Sequence, residues 1–440
     1  IHLMWAVSRS MRLGKSGQMK KHLLAWAMGC CAFITLCNIH AASSIDGDLT
    51  LDEVIARVLE RNPTLQAADY DTRAAAARIR QAAQTNPWRA GLEFENFAGS
   101  GTTSGTDALE ATLSLSRVLQ TGNQPQLRGE LAKEEAALLD SEQNAQRLDV
   151  LAESAQRFVA VAAAQERAQV ARDALTAARH SLEIVERRVQ AGRAANAERS
   201  TAAIELARAE LELAATDSEL LSARQALAST WGDTQAGFSR VSAELYELPA
   251  QVPFARLEAA LASNPDLVRF ATAERINTAR VRLARAGRRP DIELAAGVRY
   301  LNEPDDTALV LSASVPLGTA RRAESVIDEA EELMLREPLA YEKRRLALHS
   351  TLFTLHQQLL LDRAAMITLR KRIIPAAEQA LTEYRRGYSA GRYAWLELVT
   401  AQNTLRESRA ELLDRAASYH LSRVEIDRLT GGTLMTGEAP

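Results

Sequence analysis

Histidine and cysteine are the side chains most typical of transition-metal sites, and their spacing in this chain decides whether such a site is expected. The 440 residues include three cysteines, which all lie in one apolar N-terminal stretch, at Cys30, Cys31 and Cys37. His349 and His356 lie seven residues apart on one predicted helix face, whereas a helical zinc pair usually lies at i and i+4. No carboxylate completes a ligand set with them. We therefore predict no metal site and no cofactor, and we expect these histidines to lie at the surface or to pack.

Other kinds of active site are not indicated either. The glycine-rich segment GSGTTSGTD, at 99–107, has neither the GxSxG spacing of a hydrolase elbow nor the GxGxxG spacing of a dinucleotide loop. It lies between two predicted strands with no helix after it, so we predict an exposed loop without chemistry. A net charge of -3 and a pI near 6.3 give no electrostatic case for nucleic acid. We predict that the chain is not an enzyme and has no nucleic-acid partner.

The most informative pattern is a set of glycines inside long helical stretches. RRGYSAGRYAWLELVTAQNTL, at 385–405, contains Gly387 and Gly391, and RRVQAGRAANAERSTAAIEL, at 187–206, is a weaker copy around Gly192. A glycine inside a helix costs up to about 1 kcal/mol relative to alanine, so we expect both Gly387 and Gly391 to interrupt the helix. Aligning Gly192 with Gly391 also aligns Glu198 with Glu397. The chain is therefore predicted to repeat itself.

A second match at nearly the same offset supports a tandem duplication. LERNPTL in the first half matches LASNPDL in the second, so that Asn62 and Pro63 correspond to Asn264 and Pro265. One duplication of roughly 200 residues explains both matches. We predict a first repeat at 43–232, a connector at 233–252, a second repeat at 253–431 and a flexible tail at 432–440.

Each repeat is predicted to hold the same elements: a helix of about 38 residues, a β-hairpin, a long helix, and another helix of about 38 residues. The helices are expected at 50–84, 124–190 and 194–231, then at 255–287, 321–386 and 393–430, with Pro338 and Pro375 as candidate kinks. At 1.5 Å per residue the long helix would span roughly 100 Å, and two short helices end to end would match it. The glycine turns would then form the far tip of a long rod.

Alternation of apolar and polar residues predicts the two hairpins. GLEFENF and LEATLSLS alternate in the first repeat, and PDIELAAGVRY and LVLSASV alternate in the second. Four such strands cannot close a barrel, and open edges in lipid would leave backbone amides unpaired at several kcal/mol each. Strands that enter a membrane would therefore require two copies, with eight strands, or three copies, with twelve. The alternative is a soluble periplasmic sandwich or hairpin arm, since alternation marks any half-buried strand.

A secretory signal peptide is predicted at the N-terminus. From Met19, MKKHLLAWAMGCCAFITLCNIHAASS has a basic start, an apolar run at about 23–36 and small residues at 41–43. The run is shorter than the roughly 20 residues of a spanning helix, which disfavours a membrane anchor. Lipidation is the other alternative, but Cys30 comes early in the run and Leu36 before Cys37 is large. We predict upstream residues and a signal peptide at 1–42, and a mature chain that begins near Ala42 without a thiol.

Taken together, these motifs resemble those of the TolC-type outer-membrane factor family, the exit ducts of tripartite efflux pumps and type I secretion systems. They are LDEVIARVLERNP near the start, PDIELAAGVRY with LSASVPLG in the second hairpin, and LVTAQNTLRESRAELLDRAASYHLSRVEIDRLTG at the end. The resemblance implies a mainly α fold with a small β part and a large periplasmic portion. Long antiparallel helices would form an α-barrel, and four strands per chain would enter a twelve-stranded outer-membrane β-barrel shared by a homotrimer.

The glycine turns and the closing YHLSRVEIDRLTGG look most like the heavy-metal, cobalt-zinc-cadmium branch of that family. This resemblance implies a passive duct for heavy-metal cations or other small toxic solutes. It also implies three kinds of partner: outer-membrane lipid, a periplasmic adapter protein, and an inner-membrane RND transporter reached through the adapter.

The same resemblance implies roles for the residues of the two turns. Those expected to contact the adapter are Gly192, Arg193, Gly391, Arg392 and Tyr393. Glu198 and Glu397 each lie six residues past a turn glycine and are candidate acids of the periplasmic aperture, where a ring of carboxylates would attract cations. The alternative for these acids is a favourable interaction with the helix dipole, and for the arginines it is solvation.

Two other functions fit part of the pattern. A type I protein-secretion duct would have the same architecture. A periplasmic adapter or structural coiled-coil protein would share the signal peptide and long helices, but an adapter should carry one helical hairpin between β-domains. The duplication therefore favours the duct.

Overall fold

The computed structural model describes residues 48–431 of the chain, and these are mainly helical. The predicted signal peptide, with all three cysteines, and the predicted tail lie outside the described residues. The elements of the first repeat are α1 Leu51–Arg61, α2 Pro63–Ala82, β1 Arg89–Glu95, β2 Glu110–Leu119, α3 Gln124–Gln190 and α4 Asn196–Ala228. Those of the second are α5 Phe254–Ala260, α6 Pro265–Ala286, β3 Ile292–Leu301, β4 Asp306–Ser314, α7 Thr319–Thr368, α8 Ile374–Ser389 and α9 Trp395–Leu429. Both repeats follow the predicted order.

The first helix of each repeat is broken, contrary to the single helix of about 38 residues that we predicted. Asn62 ends α1 with extended backbone (φ -61°, ψ 122°), and its side chain accepts hydrogen bonds from Thr64 N at 2.9 Å and Leu65 N at 3.1 Å. Pro63 occupies the first position of α2, where a helix needs no N–H donor. The duplicated Asn-Pro pair is therefore a helix stop followed by a new helix start.

The same asparagine joins the beginning of each repeat to its end. Asn62 Nδ2 donates to Thr230 O at 2.7 Å, and in the second repeat Asn264 Nδ2 donates to Leu429 O at 2.7 Å. Asn264 also accepts from Asp266 N at 2.8 Å. Because both asparagines are buried, each bond satisfies a backbone carbonyl that water does not reach. The two repeats thus share the same hydrogen bond between their beginning and their end.

The second long helix is not continuous. A π-helical turn at Leu369–Ile373 separates α7 from α8, directly before Pro375. A proline lacks the N–H that the preceding turn would bond, so a wider turn at this point follows from its position. Pro338, the other candidate kink, lies inside the uninterrupted α7.

The four strands form one antiparallel sheet in the order β1-β2-β3-β4. The registers place Leu92 opposite Leu113, Leu113 opposite Val298, and Val298 opposite Leu309. These four side chains lie on one face and are more than half exposed, Leu309 at 72%. The other face carries Arg299, which pairs with Glu95 at 2.8 Å and Glu110 at 2.6 Å. The predicted apolar and polar faces are therefore present, and the apolar face is uncovered in a single chain.

The largest core lies where α1, the end of α4 and the middle of α9 meet the middle of α3. Val54 and Val58 of α1, Val161 of α3, Leu227 of α4 and Leu413 of α9 are almost fully buried there. The segment predicted as a connector also packs into this core through Phe238, Val241 and Leu245, and Gln165 of α3 bonds both the N–H and the carbonyl of Val241, at 2.7 and 3.1 Å. Within 48–431, no helix is both long and apolar enough to cross a membrane.

Candidate functional site: the two helical turns

Two glycine turns end the long helical stretches, at 191–195 (the first turn) and 390–394 (the second turn). Gly192 has φ +67° and Gly391 has φ +75°, values that a residue with a Cβ adopts only with strain. In the first turn Arg193 N donates to Arg188 O at 2.8 Å and Gly192 N to Val189 O at 3.0 Å. In the second, Arg392 N and Gly391 N make the equivalent bonds at 2.8 and 2.9 Å. This is the glycine-capped Schellman ending of a helix, so the prediction that Gly192 and Gly391 stop their helices agrees with the structure.

Gly387 does not interrupt the helix, so that part of the prediction is wrong. It lies within α8 and is buried. The ring of Tyr393 lies against it so closely that a Cβ added at Gly387 would overlap the ring. Tyr393 also packs on Tyr384, with ring centroids 5.0 Å apart. Gly387 therefore provides the space in which the Tyr393 ring packs back onto α8, the helix before the turn.

The two turns lie side by side and share one apolar cluster. Val185 and Ala202, from the first repeat, pack with Tyr388, Trp395 and Leu398, from the second, and all five are buried. The Tyr388 and Trp395 ring centroids are 5.4 Å apart. A little further along the helices, Gln402 Nε2 donates to Ser181 Oγ at 2.9 Å. The fold thus brings the two turn glycines, 199 residues apart in sequence, to one end of the helical region.

Tyr388 is the central residue of this cluster. Its hydroxyl donates to Glu198 Oε2 at 2.9 Å, which joins α8 to the first turn of α4. The Arg188 guanidinium lies 4.1 Å from the centroid of the Tyr388 ring and also donates to the Tyr388 carbonyl oxygen. Burial, together with the hydrogen bond to Glu198, raises the pKa of the Tyr388 hydroxyl to about 12. Tyr388 therefore stays protonated at neutral pH and remains a hydrogen-bond donor.

Tyr388 and Arg188 were not among the residues predicted from the sequence to have a role in the turns. The available signal was the alignment of the two turns, in which Tyr388 corresponds to Val189 and Trp395 to Asn196. Only the second turn has this aromatic pair, so the alignment indicates that the second turn is the more extensively packed of the two.

The residues predicted to contact an adapter lie at the surface of the turns. Gly192, Arg193, Gly391 and Arg392 are exposed, and neither arginine forms an ion pair with a residue of 48–431. The Tyr393 ring is 43% exposed, with one face against Gly387 and Tyr384. The two turns together therefore present two cations and one half-exposed aromatic ring.

The two candidate aperture acids occupy equivalent positions with different partners. Glu198 and Glu397 are each the third residue of their helix. Glu198 is half-buried and accepts from Tyr388, whereas Glu397 is exposed and accepts from Ala394 N at 2.7 Å. Both carboxylates also lie where the helix dipole favours negative charge. The structure thus gives Glu397 a capping role in its own helix and Glu198 a role in joining the two turns.

The histidines have structural partners or surroundings. His349 Nε2 lies 3.2 Å from Glu258, and His356 is buried against the ring of Phe254. His420 Nε2 lies 3.0 Å from Leu245 O, and burial lowers the pKa of His420. Within the described part of the chain, no group of three or more His, Cys, Asp or Glu residues is placed to hold a metal ion.

Comparisons with known proteins agree with this architecture. The family model described as outer membrane efflux protein matches residues 54–233 and 257–432, one match for each repeat. The chain is 28% identical over 284 residues to the cobalt-zinc-cadmium resistance protein CzcC of Cupriavidus metallidurans, an alignment that spans 64% of this chain and 68% of CzcC.

Solved structures share the fold at low identity. A membrane protein from Pseudomonas aeruginosa superposes with a TM-score of 0.74 at 18% identity, over 87% of this chain and 90% of that one. CusC, whose structures describe transmembrane channel formation, superposes with a TM-score of 0.70 at 19% identity, over 87% of this chain and 92% of CusC. The family resemblance and the mainly helical fold with a small β part are thereby confirmed.

Proposed function

The chain belongs to the outer membrane efflux protein family, and from that premise we propose that it forms, as a homotrimer, the exit duct of a tripartite pump for heavy-metal cations. The protein is an outer-membrane efflux channel component with a large periplasmic helical part, and it is not an enzyme. The observation that carries the proposal is the position of the paired turns. They lie at one end of α3 and the sheet at the other, separated by 67 helical residues or roughly 100 Å.

The sheet supports a trimer. Within 48–431, β1 and β4 each pair on one side only, so the sheet has two open edges and an uncovered apolar face. Open edges in lipid are expensive, and copies of the chain can close them by pairing edge to edge. Two copies would give eight strands, whose interior side chains fill the barrel. Three copies would give twelve strands and leave a lumen for solutes, lined by the face that carries Arg299.

The paired turns support an adapter contact at the periplasmic end. Arg193, Arg392 and the exposed face of Tyr393 would meet the adapter, while Gly192 and Gly391 hold the backbone that presents them. Through the adapter the duct would connect to an inner-membrane RND transporter. Around a three-fold axis Glu397 and Glu198 would ring the aperture and attract cations. Glu397 is the more available of the two, because its carboxylate is exposed.

Heavy-metal cations are the proposed substrate because the matched relative is a cobalt-zinc-cadmium resistance protein. The duct would be passive: the ions would cross it without a resident binding site. A type I protein-secretion duct of the same fold is the competing outcome.

Membrane fractionation tests the duct itself. The protein is expressed with its N-terminal segment, and the outer-membrane fraction is run on gels with and without heating. We expect an oligomer in that fraction that dissociates to a single chain on heating. A soluble periplasmic monomer would contradict the proposal.

Metal resistance tests the turn and the substrate. In a host that carries the matching adapter and transporter but lacks the duct, the wild-type gene should restore growth in cobalt, zinc or cadmium. Gly391→Trp should abolish that growth while the heat-labile oligomer persists, and Gly101→Trp, in the β1–β2 loop, is the matched control at another glycine of positive φ. Loss of the oligomer in Gly391→Trp would refute the turn assignment. Restored secretion of a protein substrate without metal resistance would favour the type I duct.

A further inference from the structure

The two ends of the sheet carry opposite charge. The helix-side end, formed by 84–89, 117–124, 286–292 and 315–322, contains six arginines and a single carboxylate, Asp291. The loop-side end, formed by 95–110 and 301–307, contains six carboxylates and no arginine or lysine. Asp291 is engaged with Thr121 N at 3.3 Å and Gln124 Nε2 at 3.1 Å. The charge of the helix-side end is therefore strongly positive and is not balanced locally.

Five of the six arginines have no carboxylate within ion-pair distance among residues 48–431. Only Arg89 approaches one, Glu293, at 3.9 Å. We call the other five the basic collar: Arg117, Arg288, Arg289, Arg321 and Arg322. All but Arg117 are exposed. The collar follows the bases of β2, β3 and β4, at the junction of the sheet and the helices.

Arg117 lies on the apolar face of the sheet. It follows Leu113 and Leu115 at every second position of β2, so it shares their face, and it is opposite Leu294. Its guanidinium stacks on the Trp88 ring, 5.3 Å from the centroid, and donates to Asn86 O and Thr85 Oγ1. These bonds fix the guanidinium without neutralising it. A fixed cation at the lower margin of an uncovered apolar face is available to an anion from outside the chain.

The surroundings of the collar have the chemistry of a membrane boundary. Trp88, 60% exposed, lies against the Arg117 guanidinium, and Leu317, 92% exposed, comes between the end of β4 and the start of α7. Tryptophan concentrates where hydrocarbon meets headgroups. The N-terminus of α7 is next to Leu317, and its N-cap, Gly318, supplies no side-chain acceptor. Free helix N–H groups favour a phosphate.

We propose that the basic collar binds the phosphate groups of anionic phospholipids in the leaflet that faces the periplasm. Arg117, held on Trp88, takes a phosphate at the lipid-facing margin, and Arg288, Arg289, Arg321 and Arg322 extend the site along the base of the sheet. The acyl chains lie along the row of Leu92, Leu113, Val298 and Leu309. This inference rests on the proposed function, because it requires the sheet to lie in the outer membrane. It also predicts how deep the sheet lies in the membrane, because the basic collar would lie at the level of the phosphate groups that face the periplasm.

The test measures which lipid the assembled oligomer retains. Detergent-purified protein is mixed with equal amounts of phosphatidylglycerol and phosphatidylcholine, and the lipids bound to the intact oligomer are counted by native mass spectrometry. The wild type should retain phosphatidylglycerol preferentially. The variants are Arg117→Gln and the pair Arg321→Gln with Arg322→Gln. Each lost arginine should weaken the preference about fivefold at low salt.

Arg199→Gln is the matched control, since Arg199 is exposed in the first turn of α4, near the periplasmic end, and has no ion pair within 48–431. Its lipid preference should equal that of the wild type. Equal retention of the two lipids by the wild type, or the same loss in Arg199→Gln, would overturn the proposal. So would full competition by inorganic phosphate, which would indicate a free-anion site.

Assembly separates this inference from the proposed function. Every variant is first run unheated and heated, so that only heat-labile oligomers are compared. If the wild type forms no such oligomer in the outer membrane, the duct proposal fails. If it does and shows no lipid preference, only the lipid inference fails. The side chains of Arg321 and Arg322 make no hydrogen bond within 48–431, so their pair remains a valid test if Arg117→Gln does not assemble.

Discussion

The two helical turns have the same backbone and different side chains. Both end a helix with a glycine of positive φ and the same pair of backbone hydrogen bonds. The first turn places Arg188, Val189, Ala194 and Asn196 where the second places Gly387, Tyr388, Tyr393 and Trp395. The glycine alone therefore specifies where the chain reverses. The aromatic residues specify how tightly the reversed helices are held.

The comparison also shows how the turns depend on each other. The first turn has no aromatic residue of its own, and it is held by the second, through Tyr388 on Glu198 and through the Arg188 guanidinium on the Tyr388 ring. Substitutions that remove packing in the second turn should therefore destabilise both turns. Substitutions in the first turn should leave the aromatic stack of the second turn intact.

Removing Tyr388 should have the largest effect. Truncation of a buried aromatic residue costs about 3–5 kcal/mol, so Tyr388→Ala should raise amide hydrogen exchange in both turns by two orders of magnitude or more. Val189→Ala, the equivalent change in the half-buried position of the first turn, should cost about 1 kcal/mol. Equal amide hydrogen exchange in Tyr388→Ala and Val189→Ala would contradict the conclusion that the second turn holds the first.

Filling the space at Gly387 should come next. In Gly387→Ala the new Cβ overlaps the Tyr393 ring, which must leave its contact with Tyr384, at about 1–3 kcal/mol. Tyrosine fluorescence and hydrogen exchange of 390–398 would report the release. The double variant Gly387→Ala with Tyr393→Ala should be no less stable than Tyr393→Ala alone, since the new Cβ overlaps nothing once the ring is absent.

The two turn glycines should respond alike. A Cβ at Gly192 or Gly391 meets no atom within 4 Å, so only the backbone strain of positive φ remains. Gly192→Ala and Gly391→Ala should each cost about 1–2 kcal/mol in the local exchange of their own turn. A much larger loss at Gly391 would show that it does more than permit the reversal.

Removing only the Tyr388 hydroxyl should have a smaller effect than removing the whole side chain, and it adds a pH dependence. Tyr388→Phe loses one hydrogen bond to a carboxylate, about 1.5–3 kcal/mol at most. In the wild type, burial raises the pKa of Tyr388 to about 12, above its unfolded value near 10. The folded turn thus keeps the proton longer, and its stability falls as the pH rises from 10 through 12. Tyr388→Phe should remove one late step from the tyrosinate absorbance titration, and an unchanged titration would contradict the buried hydrogen bond.

Glu397→Gln should give the smallest change in stability and the clearest change in conductance. The glutamine still accepts from Ala394 N, so the helix should lose less than about 1 kcal/mol. If Glu397 rings the aperture, cation block in planar bilayers should weaken more than in Glu198→Gln. If cation block is unchanged in Glu397→Gln, Glu397 is a helix-capping residue and not an acid of the aperture.

Local patterns allowed most of the fold to be predicted. The extent of α3, the four strands and the stops at Gly192 and Gly391 follow from periodicity, alternation and glycine chemistry within short windows. The break at Asn62 was missed because a helical pattern continues on both sides of it, although an asparagine followed by a proline is itself a signal of a helix start. The capping bond to Thr64 and the contact with Thr230 show the stop.

The candidate site was less accessible to sequence reasoning. Gly387 was predicted to stop the helix because a glycine within a helix is destabilising. In the structure it instead makes room for the Tyr393 ring, which packs against it from across the turn. Tyr388 and Glu198 are 190 residues apart, so their hydrogen bond depends on how the repeats pack. Patterns within short windows of the sequence do not report how the repeats pack.

The measurement that tests the central claim most directly is cysteine accessibility across the outer membrane. All three native cysteines lie in the predicted signal peptide, so single cysteines can be placed without background. Ser104→Cys marks the β1–β2 loop, and Arg193→Cys and Arg392→Cys mark the two turns. In intact cells a bulky maleimide polymer that cannot pass the outer membrane should label Ser104→Cys alone, and both turns should react after the membrane is opened. Labelling of either turn in intact cells would place the turns outside, and the account of a periplasmic end that meets an adapter would be wrong.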